Sequence, residues 1–214
     1  MAHGDWWRED LKCVRCHSSS RQRAMVVFLQ QNFPDLSNLS VYEPASVEPV
    51  QRWLKKHSRH YMSSHYFSDV PFGRRVNGLR NESLESLTFP NARFDLIITQ
   101  DVFEHIERPK LAFREVARVL RPGGSHVFTI PYYPDQLTEI RVQMIDGEPV
   151  STFELEYHDN PVDEKGSLVF TRFGADLIEI IKRVSGLTTT IHAMHDKRFG
   201  IEGESILVFH STGS

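Results

Sequence analysis

Phe94-Asp95-Leu96-Ile97-Ile98-Thr99 is an almost unbroken apolar run, and together with the segment after it leaves few folds open to the chain. A strand with so little polar alternation has to be covered on both faces, as a central strand of a parallel sheet is. The spacing then predicts a helix over residues 108–120, with Pro109 in its first turn and Leu111, Val116 and Leu120 facing inward. Arg121-Pro122-Gly123-Gly124 breaks that helix, and residues 125–130 read as another buried strand. Strand, helix, turn and strand make one βαβ unit. Several in series wind helices onto both faces of a sheet.

The alternation extends both ways. Residues 23–32 are apolar at helical spacing and predict an opening helix that stops near Pro34. Residues 39–42 are a strand candidate, and 47–57 read as a helix with Val47, Val50 and Leu54 on one stripe and Pro49 in its first turn. Residues 59–62 and 76–80 supply two further strands. After Pro131 the rhythm breaks. Asp146-Gly147, between 141–145 and 149–153, is a hairpin signal, although Pro149 confines the second arm to an edge. Tyr157-His158-Asp159-Asn160-Pro161 reads as a loop, after which a helix is expected over 173–184, closed by Gly186, with strands over 187–193 and 205–210.

Composition narrows the function classes. The 214 residues are 40% hydrophobic and 25% charged, enough to bury a core. With 25 basic against 28 acidic side chains the net charge is −3, which speaks against nucleic acid as a partner. The longest apolar stretch, Ala24 to Leu29, is too short for a membrane span, and no basic-then-apolar opening suggests a secretory signal. A cytoplasmic enzyme or binding domain, without membrane or nucleic-acid partners, is the expectation; oligomeric state is not legible. The two cysteines, Cys13 and Cys16, are too close together to staple a large fold.

The stretch from Phe94 through Gln100-Asp101-Val102-Phe103-Glu104-His105 to Glu115-Val116-Ala117-Arg118-Val119-Leu120-Arg121-Pro122-Gly123-Gly124 resembles class I S-adenosylmethionine-dependent methyltransferases, type 11 branch. The resemblance implies a Rossmann-like α/β fold: a doubly wound, mostly parallel seven-stranded sheet with an antiparallel last strand. Residues 1–38 would then be an N-terminal helix and Cys-x-x-Cys segment packed on the core. Residues 39–214 would be the methyltransferase-like domain, with a cap inserted at about 132–170. It further implies S-adenosylmethionine as cofactor, with Glu43, Pro44 and Ala45 near its methionine or ribose end. Ser63 or Ser64 would stand at the ribose hydroxyls, Ser83 and Leu84 beside the adenine, and Gln100 and Asp101 on the floor near the sulfonium. Ligands of open parallel sheets do bind past the carboxyl ends of the strands. The first turn, Glu43-Pro44-Ala45-Ser46-Val47-Glu48, departs from the family pattern in having no glycine, and serines replace family acids at 63 and 83, although Glu82 adjoins the latter.

Several other residues carry candidate chemistry. His105 and His158 are candidate acid–base groups, with His158 in an irregular segment of the kind that shapes substrate pockets. Tyr132 and Tyr133, just past a strand, could pack a flat substrate or simply close the sheet. Cys13-Val14-Arg15-Cys16-His17 has the haem-attachment spacing, but that chemistry requires export; a zinc knuckle requires four ligands, so a plain turn is the simpler reading and no metal site is expected. Arg21 and Arg23, downstream of the cysteines as in some type 11 relatives, could meet an anionic substrate or cap the sheet. Trp6-Trp7 reads as a tether, and Asp95 as a strand-positioning group. The expected function is methyl transfer to an oxygen or nitrogen of a small molecule. The alternatives are a scaffold with a degenerate cofactor pocket, or a non-methylating enzyme of natural-product chemistry on the same fold.

Overall fold

A computed structural model describes residues 7–160, 163–203 and 206–213, so Trp6, Pro161 and Ser205 lie outside the described residues. Helices α1 (Trp7–Asp10) and α2 (Ser20–Asn32) come first. The wound core comprises β1 (Ser40–Pro44), α3 (Val50–His57), β2 (His60–His65), β3 (Arg75–Val76), β4 (Leu79–Asn81), β5 (Phe94–Gln100), α4 (Pro109–Val119) and β6 (Leu120–Thr129). Next come the short strands β7 (Tyr132–Tyr133), β8 (Glu139–Ile140), β9 (Gln143–Ile145), β10 (Glu148–Val150), β11 (Tyr157–Asn160), β12 (Asp163–Leu168) and β13 (Thr171–Gly174). Helix α5 (Leu177–Ser185) and strands β14 (Thr188–Ala193) and β15 (Leu207–Thr212) close the chain.

The main sheet runs β14-β15-β6-β5-β1-β2-β4-β3. Strands β6, β5, β1, β2 and β4 are mutually parallel, whereas β15, β14 and β3 run antiparallel to their neighbours. This is the expected α/β sheet with an antiparallel last strand. Its eight strands exceed the expected seven because residues 76–80 do not form one strand. They fold back as the β3–β4 hairpin, with Asn77 at φ +50° and Gly78 at φ +84°. An Asn-Gly pair supplies the left-handed conformations such a tight turn needs. The chain moves outward from β1 to β2 and β4, then returns to β5 on β1's other side, so strand order reverses between β1 and β5.

Alternation along the strands divides the core. On one face Val41, Leu96, Ile98, Val127 and Val208 meet Met25, Phe28 and Leu29 of α2 and Val50 and Leu54 of α3. On the other Tyr42, Ile97, Phe128 and Phe209 meet Phe113 and Val116 of α4 and Leu177 and Ile181 of α5. Strand β5 is thus covered on both sides, as its apolar run requires. At its amino end, Asp95 accepts hydrogen bonds from the Ser40 amide at 2.8 Å and from Arg121 at 2.6 Å, fixing β5 against β1 and β6 as a positioning group.

Some boundaries differ from expectation for identifiable reasons. Helix α4 stops at Val119 and buries Ala112, Phe113, Val116 and Val119, leaving Leu111 only half-buried. The Arg121–Gly124 breaker bulges out of the start of β6, so that Phe94 pairs with Leu120 but Leu96 with Ser125. Helix α3 begins at Val50, so Val47 precedes it. The segment expected as a loop around His158 is strand β11, paired with β12. Phe173 and Gly174, expected to open the last helix, belong to β13 and pair with Tyr132 and Tyr133. A Cβ at Gly174 would meet the Gln136 carbonyl oxygen at 2.2 Å, so only glycine fits there. The Asp146-Gly147 turn joins β9 to β10, with Pro149 in the second arm.

Helix α2 starts three residues earlier than its apolar spacing suggests because Ser19 and Gln22 form a reciprocal cap. Gln22 Oε1 accepts from the Ser19 amide at 2.9 Å, and Ser19 Oγ from the Gln22 amide at 3.4 Å. Ser19→Ala should lower stability by about 1 kcal/mol in chemical denaturation. An unchanged midpoint would show that tertiary contacts alone set the start of the helix.

Candidate active site

The carboxyl ends of the parallel strands gather three acidic residues, each in a different electrostatic setting. Glu43, near the end of β1, is 1% exposed. Its Oε2 accepts from the Tyr61 hydroxyl of β2 at 2.5 Å, and its Oε1 from Gln100 Nε2 of β5 at 2.9 Å. Burial pushes the Glu43 carboxyl up to about 7, against the pull of those two hydrogen bonds. Gln100 is itself buried, and its Oε1 has no hydrogen-bond partner among the described residues. Beside Glu43, Ala45 takes φ +50° while its amide donates to the Ser64 carbonyl at 2.8 Å. An alanine therefore adopts the left-handed turn for which a glycine is the easier residue. Pro44 is buried opposite Ser64, and Ser63 stands opposite Glu43, half-buried. Ser64 is drawn into the core by a 2.6 Å hydrogen bond to the Tyr42 hydroxyl.

Asp101 comes directly after β5, at φ +50°. Its oxygens accept from the two Arg8 nitrogens at 2.7 Å each, and Arg21 Nε lies 3.0 Å away. Burial alone would raise this carboxyl; the Arg21 and Arg8 guanidiniums outweigh it and hold the group well below the usual carboxylate range. Arg21 also binds Glu9 and reaches Thr129 at the end of β6. The N-terminal segment therefore lies across the strand ends through Arg8, Glu9 and Arg21. Arg23 acts differently, donating to the carbonyls of Ser18, Leu11 and Gly200 and tying the segment down. Cys13 and Cys16 are free thiols in a turn closed by the His17 amide on the Cys13 carbonyl at 2.8 Å.

The third acid, Glu104, is 1% exposed, and neither carboxylate oxygen has a hydrogen-bond partner among the described residues. It lies in the 3-10 turn Phe103–His105, anchored by Phe103 stacked on Phe113 with centroids 4.1 Å apart. The insert packs onto this turn: the Phe170 amide donates to the Glu104 carbonyl at 2.8 Å, and His105 Nδ1 lies 2.9 Å from the Leu168 carbonyl. His158, from β11, meets His105 edge-on with ring centroids 5.0 Å apart. The two histidines singled out separately in the sequence are brought together. His158 Nε2 also lies 3.3 Å from Glu156, which Arg172 binds at 2.7 Å.

Other candidates stand apart from this cluster. Ser83 is engaged locally, its hydroxyl accepting from the Glu85 amide at 3.2 Å, while Leu84 is turned into the core. Glu82 is taken up by Arg80 and Thr88. Tyr132 packs edge-on against Phe209 at 5.4 Å, and Tyr133 lies under Arg172 at 5.7 Å. A surface depression of about 330 Å³ lined by Asn38, Ser40, His60, Arg93, Asp95 and Arg121 lies at the opposite, amino edge of the sheet. The sequence reading missed Tyr61, Arg8 and Glu104. Glu104 belongs to the Glu-His pair that carries the family resemblance, but that its carboxyl finds no partner among the described residues is a property of the folded state alone.

Residues 45–128 match the family model described as "Methyltransferase domain", of the type 11 branch. Among solved structures, an S-adenosylmethionine-dependent methyltransferase from Mesorhizobium loti superposes with a TM-score of 0.57 at 17% identity, covering 88% of this chain and 97% of that one. The YcgJ protein of Bacillus subtilis gives a TM-score of 0.57 at 12% identity, covering 89% and 97%. Sarcosine/dimethylglycine N-methyltransferase of Halorhodospira halochloris is 36% identical over 63 residues, which span 29% of this chain and 23% of that relative. Over residues 45–128 the chain is thus similar to the type 11 methyltransferase domain, and its fold is the one these solved methyltransferase structures share.

The buried Glu43 carboxyl gives stability a defined pH dependence. Its native pKa of about 7 lies above its ordinary 4.5, so the folded chain keeps this proton where the unfolded chain has lost it. That contribution is whole below about pH 4.5 and is lost as pH rises through about 7. Glu43→Gln keeps the neutral shape. Its stability relative to wild type should therefore rise across this window by on the order of 3 kcal/mol. Parallel pH profiles for the two proteins would show that the Glu43 carboxyl is not held protonated.

Proposed function

We propose that this chain transfers a methyl group from S-adenosylmethionine to an oxygen or nitrogen of a small molecule. The observation that carries the reading is Gln100 Oε1, a buried acceptor without a partner among the described residues, at the carboxyl end of the central strand. Buried polar atoms are nearly always satisfied, and a cofactor ammonium or hydroxyl is a donor that would satisfy this one. Glu43 fixes the amide by accepting from Nε2, so Oε1 is presented in one orientation. The residues present fit the cofactor in this respect.

When bound, S-adenosylmethionine supplies a methyl carbon on a sulfonium, an electrophile that needs no further activation. Glu43, Pro44 and Ala45 would hold its methionine or ribose end, with Gln100 and Asp101 as the floor. Ser63, beside the Tyr61 hydroxyl, is the serine for the ribose, since Ser64 is bound to Tyr42 in the core. Ser83 would flank the adenine from the end of β4, with Leu84 behind it in the core. Asp101 stays ionised beside its two guanidiniums and is fixed in place by them. The acceptor side would be formed by the insert, with His105, His158, Tyr132 and Tyr133 orienting the small molecule. Alignment and exclusion of water are the main things this chemistry asks of a protein. The N-methylation in the name of the Halorhodospira halochloris relative supports nitrogen as one of the two acceptor atoms.

Calorimetry with S-adenosylhomocysteine should show binding to the wild-type chain and roughly tenfold weaker binding to Gln100→Ala, the loss expected for one hydrogen bond. Absence of binding to wild type would leave a methyltransferase-shaped scaffold. With binding established, products one CH2 heavier than the acceptor identify methyl transfer, and products of unchanged composition would point to the non-methylating reading.

A further inference from the structure

Glu104 presents a buried carboxyl group whose two oxygens have no hydrogen-bond partner among the described residues. The nearest guanidiniums, Arg8 and Arg21, are engaged by Asp101 and Glu9. Besides Asp101, what lies beside Glu104 is imidazole. His105 Nε2 lies 3.8 Å from Glu104 Oε1, and one ligand atom from each of Glu104, His105 and His158 lies within 4.8 Å of the other two. Ligands that are neighbours in sequence usually diverge, but the 3-10 turn brings Glu104 and His105 onto one point. Two atoms sharing an ion at about 2.1 Å sit roughly 3 to 3.5 Å apart, so small side-chain rotations would close the set.

The surroundings also suit coordination. A ligating histidine characteristically gives its other nitrogen to a carbonyl or carboxylate. His105 Nδ1 is placed to donate to the Leu168 carbonyl at 2.9 Å, which turns the Nε2 lone pair toward Glu104. His158 has Glu156 beside it, itself fixed by Arg172.

We propose that Glu104, His105 and His158 bind one first-row divalent transition metal ion at the junction of the sheet edge and the insert. Two imidazoles and one carboxylate favour ions such as Zn²⁺, Co²⁺ or Mn²⁺ over Mg²⁺ and Ca²⁺, which prefer all-oxygen shells. Three protein ligands leave coordination positions open. This deepens the acceptor side of the proposed function and rests on that reading, since an acceptor hydroxyl or carboxylate that chelates the ion would be anchored at an open position. The ion would also link β11 to the turn after β5, drawing the insert onto the sheet edge.

The test uses full-length, metal-stripped protein titrated with Co²⁺, read by its visible absorption, and with Zn²⁺, read by calorimetry. One equivalent should bind, with a rise in thermal midpoint. His158→Ala and Glu104→Gln should weaken binding at least about tenfold. Glu104→Gln keeps the side chain's shape and remains a neutral polar group in the buried site, and His158 is half-buried on the insert, so folded variants are expected; circular dichroism verifies this. A Cys13→Ser/Cys16→Ser double variant should still bind one equivalent. The proposal is overturned if wild type shows no saturable binding, if both site variants bind as wild type does, or if the double serine variant abolishes binding. S-adenosylhomocysteine affinity measured on the same samples separates the two ideas: losing one ligand while keeping the other identifies which reading has failed.

Discussion

Covering β5 on both faces fixes the position of nearly everything chemical in this molecule. Leu96 and Ile98 face α2 and α3, Ile97 faces the α4 side, and the strand cannot slip by one residue without exchanging those sets. Gln100, Asp101, Glu104 and His105 come within one short stretch, so their places are set by the register of a strand with no freedom to move. Asp95 fixes the other end through Ser40 and Arg121. The strand order reverses beside β1, and open parallel sheets take their ligands at the carboxyl ends beside such a reversal.

The three carboxyl groups at that edge show how environment assigns different states to one functional group. Glu43 is buried among neutral donors, so its proton is retained to about neutral pH. Asp101 is as thoroughly enclosed but has two guanidiniums against it and stays ionised. Glu104 accepts no hydrogen bond among the described residues and lies beside two imidazoles. The first arrangement orients an amide, the second fastens the N-terminal segment, and the third is the one left incomplete. Desolvation is common to all; what differs is the charge brought to meet it.

How much of this was legible in the sequence depends on how local the signal was. Strands β5 and β6 and helix α4 are stated by apolar runs and spacing, and β14 and β15 by theirs. The β3–β4 hairpin was also written there, in Asn77-Gly78, but the residues between 76 and 80 are too few to read as two strands by periodicity. Strand β11 was not legible: His158, Asp159 and Asn160 carry no alternation, and only pairing with β12 makes the segment extended. Phe173-Gly174 reads as helical by apolar content, and the close approach of the Gln136 carbonyl that decides otherwise is a long-range fact. His105 and His158 could each be chosen as polar residues beside expected strand ends, whereas their contact depends on how the insert folds back.

The two flanks of the sheet edge have complementary roles that arise from their chemistry. From the amino-terminal side comes positive charge, Arg8 and Arg21, and it is consumed by Asp101 and Glu9. From the insert comes a neutral backbone and imidazole surface, the Leu168 carbonyl, the Phe170 amide and His158, and it settles around Glu104 and His105. Asp101 and Glu104 follow β5 closely in sequence, yet the guanidiniums hydrogen-bond the first, while the second accepts no hydrogen bond among the described residues. A third arginine at Glu104 would have completed a structural salt-bridge network. The imidazoles found there instead are ligands for a metal as well as donors, and that choice of residue, more than the fold, distinguishes this edge from a merely well-packed one.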